Sequence, residues 1–82
     1  MTLRRRVLAH LLACGARGAT DQEIQDALSM DPSTERPRRV ELVDDGLVRP
    51  AAAVRPTRSG RAAQVWIAEP ERLSAPGRPA GS

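Results

Sequence analysis

Leu3, Val7, Leu8, Leu11 and Cys14 recur at three- and four-residue steps, the spacing of one apolar stripe on an α-helix. Thr2 precedes the stripe as a capping residue, and Gly15 and Gly18 follow it, so a first helix is predicted from Leu3 to about Ala13. Thr20 with Glu23 three residues later forms a capping box, in which hydroxyl and carboxylate satisfy each other's orphan amides. It opens a second helix with Ile24, Ala27 and Leu28 on its buried side. Ser29 and Met30 turn the chain, with Met30 directed to the core. Asp31 then caps a third helix, and Pro32 occupies its favoured first position. That helix runs through PSTERPRRVELVDD to a stop at Gly46. Pro37 inside it predicts either a kink or a regular part that begins late. Val40, Leu42 and Val43 define its expected buried direction.

Beyond Gly46 the pattern changes period. Residues 47–50 begin a strand, residues 51–61 (AAAVRPTRSGR) read as an arginine-rich loop, and Ala62 to Ala68 alternate as a second strand. In that strand Val65 and Ile67 point one way, Gln64 and Trp66 the other. A two-stranded hairpin is marginal in water and must pack on the helices. The predicted fold class is therefore mainly α with a small β wing: a winged helix-turn-helix of three helices plus a two-stranded antiparallel hairpin, with room for one short strand after the first helix. Residues 1–68 form the domain. Residues 69–82, rich in Pro and Gly, are expected to be a disordered tail.

Composition narrows the picture. In 82 residues there is one Trp and neither Phe nor Tyr, so the core is aliphatic and thin, and a second copy or a protein partner would add stability. Cys14 is the single cysteine, which excludes an intrachain disulfide and suits the cytoplasm. The start, MTLRRRVLAHLLACG, imitates a secretory or lipoprotein leader. Its apolar run is short and broken by His10, and cleavage before Cys14 would remove the first helix. No stretch is long enough to span a bilayer, so no membrane association is expected.

The basic residues are all arginine, and the net charge is only +3. A nucleic-acid footprint must then be local. Residues 36–39 hold Arg36, Arg38 and Arg39 and no acid; residues 46–68 hold Arg49, Arg55, Arg58 and Arg61 and no acid. The second helix instead carries Asp21, Glu23 and Asp26. Catalytic candidates are few. His10 and Cys14 have the spacing of two metal ligands on a helix, but no other His or Cys exists to close a site. There is no nucleophile–base pair and no glycine-rich phosphate loop. Neither an enzyme nor a cofactor or metal is expected. Trp66 is expected to cover the back of the small sheet.

The segment GATDQEIQDALSMDPSTERPRRVELVDDGLV resembles winged helices of the multiple-antibiotic-resistance-regulator type, through Thr20, Ile24, Leu28, Ser33-Thr34, Leu42 and Gly46-Leu47-Val48. The ending RPTRSGRAAQVWIA is similar to that of small winged-helix proteins of actinobacteria and their phages. The resemblance covers roughly residues 3 to 68. Two positions depart from the pattern: Glu35 stands where an apolar core residue is usual, and Pro37 interrupts the recognition helix.

The resemblance implies binding of double-stranded DNA by a small transcriptional regulator. The candidate contacts are Ser33 and Thr34 at the start of helix three, Arg36, Arg38 and Arg39 along it, and Arg55, Arg58 and Arg61 in the wing. Arg38 is placed opposite the expected buried side, to read a base edge, whereas Arg36 and Arg39 fall nearer the buried side, where only their ends reach out. The wing arginines are placed to meet phosphate or the minor groove. The alternative is a winged helix serving as a protein–protein adaptor, or as an accessory factor of a nucleoprotein machine such as a phage's.

Overall fold

A computed structural model describes residues 2–69. The tail expectation for residues 70–82 lies outside the described residues. Three helices precede a two-stranded antiparallel sheet: α1 (Leu3–Cys14), a 3₁₀ turn (Gly15–Arg17), α2 (Asp21–Leu28), α3 (Pro32–Asp44), β1 (Val48–Pro56) and β2 (Ala62–Ala68). This is the mainly helical architecture with a small β hairpin that the chain's periodicities predict.

The helix ends follow their local chemistry. The Thr2 hydroxyl accepts from the Arg5 amide at 3.2 Å. The capping box is complete: the Glu23 amide donates to the Thr20 hydroxyl at 3.2 Å, and the Thr20 amide donates to the Glu23 carboxylate at 3.1 Å. Asp31 has the extended backbone of an N-cap, but its side chain makes no capping bond. α3 closes as a Schellman turn, with Gly46 at φ 77°, its amide donating to Val43 and that of Leu47 to Leu42.

Pro37 neither stops nor shortens α3, which is helical on both sides of it. Its ring faces solvent, and its missing N–H leaves the Ser33 carbonyl without the usual partner.

The hairpin is longer than expected. Residues 51–56, read as loop, belong to β1, and the turn is confined to residues 57–61. Pro50 pairs with Trp66 and Val54 with Gln64, so four residues along β1 match two along β2. The Gln64 amide patches this bulge by donating to the Ala51 carbonyl at 2.8 Å. β1 is the sheet edge, where Pro50 and Pro56 cost no interior ladder bond. On its other side β2 exchanges backbone bonds between Trp66 and Ala19, the short extra pairing expected after α1. Gly18 allows this approach: at φ 64°, an added Cβ would stand 2.5 Å from the Trp66 carbonyl. Glu69, expected in the tail, instead extends the hairpin, its amide donating to Leu47 and its carboxylate pairing with Arg49.

Val7, Leu11, Ala19, Ile24, Met30, Leu42, Val48 and Ala68 make the core, with Val65 also buried. Leu28, Val43, Leu47 and Trp66 pack against it partly covered, and Ile67 is likewise only half-buried. Ala27 is exposed, as is Leu3.

The facing of α3 corrects the expectation drawn from Val40. That residue is 43% exposed, whereas Glu35 and Leu42 are fully buried. Successive residues turn about 100°, so Val40 and Leu42 stand on nearly opposite sides and one helix face cannot bury both. The inner stripe is Glu35, Arg38, Arg39 and Leu42; the outer stripe is Ser33, Arg36, Pro37, Val40 and Asp44.

Candidate nucleic-acid interface

An open groove of about 470 Å³ lies between the start of α2, the first half of α3 and the hairpin. Asp21, Gln22 and Gln25 line it from α2, Arg36 and Arg39 from α3, and Thr57, Ser59, Arg61, Gln64 and Trp66 from the hairpin. The hairpin tip is set by the Thr57 amide donating to Arg61 and that of Gly60 donating to Thr57, at 2.8 and 2.9 Å. Thr57 and Ser59 share a hydroxyl contact at 3.0 Å.

The base of the groove is a charge network. Arg39 donates two hydrogen bonds to Asp21, at 2.9 and 2.8 Å. Its guanidinium also lies 4.1 Å from the centre of the Trp66 ring, a cation–π contact. Asp21 experiences opposing influences. Burial pushes its carboxyl up, but hydrogen bonds from Arg39 and Glu35 and the charges of Arg39 and Arg36 outweigh it, holding the carboxyl below its ordinary value.

Glu35 has the opposite balance. It is fully enclosed, and Gln25 donates to its Oε1 at 2.9 Å. Burial first, then Asp21, raise its pKa to about 7 against the opposing influence of Gln25 and Arg39. α2 supplies this buried carboxyl with one amide partner.

The wing arginines do not stand free of acids, as the local sequence suggested. Arg55 pairs with Glu23 of α2 and donates to the Arg17 carbonyl at 2.7 Å. Arg58 pairs with Asp26 of α2. Burial raises Glu23, but hydrogen bonds from Arg55 and the Thr20 amide and the Arg55 charge outweigh it and lower its pKa. The acids of α2 therefore act across the fold on the hairpin.

The eight sequence-derived candidates thus separate. Ser33 and Arg36 are exposed on the outer stripe, and Thr34 is half-buried. Arg36, expected nearer the buried side, stands outside because the helix turns Glu35 and Leu42 inward; it is 64% exposed, with its Nε 4.0 Å from Asp21. Arg38, expected opposite the buried side, is on the inner stripe. It donates to Glu41 at 2.8 Å, and its Nε is enclosed without an acceptor. The reason is the helical phase: Arg38 lies between Glu35 and Leu42 on the same side. Arg39 is committed to Asp21 and Trp66, and Arg55 to Glu23 and Arg17. Arg58 is paired but 73% exposed. Arg61 is exposed at the hairpin tip, and no ion pair among the described residues uses it.

Sequence reasoning passed over Gln22, Gln25 and Gln64. Their only signal is that Gln22 and Gln25 alternate with the acids of α2 and that Gln64 is the one polar residue of β2. Cys14 Sγ lies 3.6 Å from His10 Nε2, and no group of three metal-ligating side chains occurs among the described residues. No helix among them is long and apolar enough to cross a membrane. The chain matches no protein-family model and no curated protein sequence.

Proposed function

We propose that the protein binds double-stranded DNA as a small winged-helix regulator in the cytoplasm. The observation that carries this reading is the pairing of two exposed guanidinium groups, Arg36 from α3 and Arg61 from the hairpin tip, on one open polar groove. Guanidinium groups fork onto phosphate and onto the guanine edge. Ser33 stands on the same outer stripe, where a hydroxyl donates to a backbone phosphate. Pro37 and Val40 give that stripe an apolar element of the kind that meets a thymine methyl. Arg58, 73% exposed beside the tip, is paired with Asp26 and would have to leave that acid to meet phosphate.

Titration of a labelled random duplex at two salt concentrations tests the reading. Phosphate contacts release counterions, so affinity is expected to fall steeply as salt rises. Absence of duplex binding even at low salt rejects the reading.

The exposure of Val40, at 43% on the outer stripe, favours a second reading as a protein adaptor. Such an interface, centred on apolar contacts, is expected to respond little to salt. A salt-insensitive complex with a protein, in place of duplex binding, would select it.

A further inference from the structure

Glu35 presents an unresolved account of hydrogen bonding. Its Oε1 accepts from Gln25, while Oε2 is buried with no donor. The group facing it from α2 is Asp21, itself a carboxylate; on its own helix the cations of the same side are Arg39 and Arg38, whose hydrogen bond goes to Glu41. Both hydrogen bonds from Arg39 go to Asp21. A buried, unpartnered carboxylate oxygen beside another carboxylate is costly when both are charged. The arrangement is satisfied if Oε2 carries a proton and donates it to Asp21. Glu35 is then neutral, and the Asp21 carboxylate is balanced by Arg39.

We infer that the Asp21–Glu35 carboxyl pair is a one-proton hold on the groove: with the proton in place Arg36 stays on the rim for an external phosphate, and its loss draws Arg36 inward onto Asp21. The geometry supplies both parts. Without the proton, two carboxylates share the single charge of Arg39, and the enclosed site carries a net negative charge. Arg36 is the next cation. Its Nε already stands 4.0 Å from Asp21 while 64% of its side chain is open to solvent, so a rotation of the side chain closes the contact. The groove rim then loses one of its two exposed guanidinium groups.

The inference rests on the DNA reading for its external ligand. Reciprocity follows: phosphate held by Arg36 keeps that cation away from Asp21 and favours the protonated pair, so duplex binding takes up a proton. The transition falls near neutrality, since the Glu35 carboxyl is pushed up to about 7.

Three measurements decide it. In the free protein, carbon-13 titration of the Glu35 carboxyl is expected to show a midpoint near 7, with the Arg36 side-chain NH signals moving in step. An ordinary Glu35 midpoint, or an Arg36 that does not respond, overturns the hold. For the ligand, random-duplex affinity is expected to fall about fivefold or more from pH 6 to pH 8, as a coupling of ordinary size requires. Glu35→Gln keeps a donor toward Asp21, so its affinity is expected to match wild type at pH 6 and stay level to pH 8. Calorimetry of the wild type in two buffers of different ionisation enthalpy is expected to show proton uptake, whether or not that variant folds.

Binding without pH dependence or proton uptake overturns the coupling. A pH dependence that survives in folded Glu35→Gln also overturns it, by assigning the proton to another group. Absence of duplex binding at every pH rejects the DNA reading and its coupling, while the free-protein titration still decides the hold.

Discussion

The two faces of α3 carry the same kind of residue to different ends. The inner face holds Glu35, Arg38 and Arg39, each enclosed or partnered: Gln25 serves Glu35, Glu41 serves Arg38, and Asp21 with Trp66 serves Arg39. The outer face holds Arg36, loosely placed 4.0 Å from Asp21 and open to solvent. The three arginines fall within four positions, and a helix phase taken from Val40 puts Arg38 outside and Arg36 nearer the core, the reverse of what is found. Burial, with Glu41 on the same helix and Asp21 on α2, makes two of them structural and leaves Arg36 exposed. The hairpin repeats the lesson, since Arg55 is committed to α2 while Arg61 is exposed.

The sharpest way to break this comparison is at Arg39. Arg39→Ala removes both bonds to Asp21 and the contact with Trp66, leaving a poorly solvated carboxylate beside Glu35. A loss of about 3 kcal/mol is expected in urea unfolding. A loss below about 0.5 kcal/mol, the ordinary surface value, would place Arg39 with the contact residues instead.

The next effect concerns Glu35 and pH. Its folded pKa is raised, so its contribution to stability is complete below its ordinary value of 4.5 and declines as pH rises toward 7. At about 1.4 kcal/mol per unit, wild type is expected to lose roughly 2 to 3 kcal/mol over that window. Asp21 and Glu23 act with the opposite sign. Their lowered values stabilise the fold above the ordinary carboxylate range and lose that stabilisation in acid. Glu35→Gln is expected to flatten the slope between pH 5 and 8 while leaving the acid limb intact. An unchanged slope in urea titrations across that range would show that Glu35 is not the group responsible.

A smaller effect separates Arg38 from Arg39 within the inner face. Arg38 has one bond, to a Glu41 that is itself 43% exposed. Arg38→Ala is expected to cost about 1 kcal/mol, part from the lost i,i+3 pair and part from the packed stem. A thermal shift as large as that of Arg39→Ala would show that its enclosed Nε has a partner of greater weight.

Much of this fold was legible because its signals are local. The capping box, Pro32 at the start of α3, Gly46 at its end and the alternation of Ala62–Ala68 all act within a few residues. Three features were not local. β1 runs through Pro50, a run of alanines and Pro56 because the edge of the sheet tolerates them and Gln64 patches the bulge. The phase of α3 was obscured because its inner stripe is charged at Glu35, Arg38 and Arg39, so apolarity pointed to Val40 instead. The acids that neutralise Arg55 and Arg58 are each 32 residues away, so the composition of residues 46–68 could not reveal them.

The division between inner structure and outer contact is tested most directly by the salt dependence of duplex binding in two variants. Arg36→Ala combined with Arg61→Ala is expected to leave thermal stability unchanged and to reduce the slope of log affinity against log salt by about two, one for each lost phosphate contact. Arg38→Ala is expected to leave that slope at its wild-type value. A double variant that keeps the full slope, with an Arg38→Ala that loses it, would contradict the assignment of the two faces.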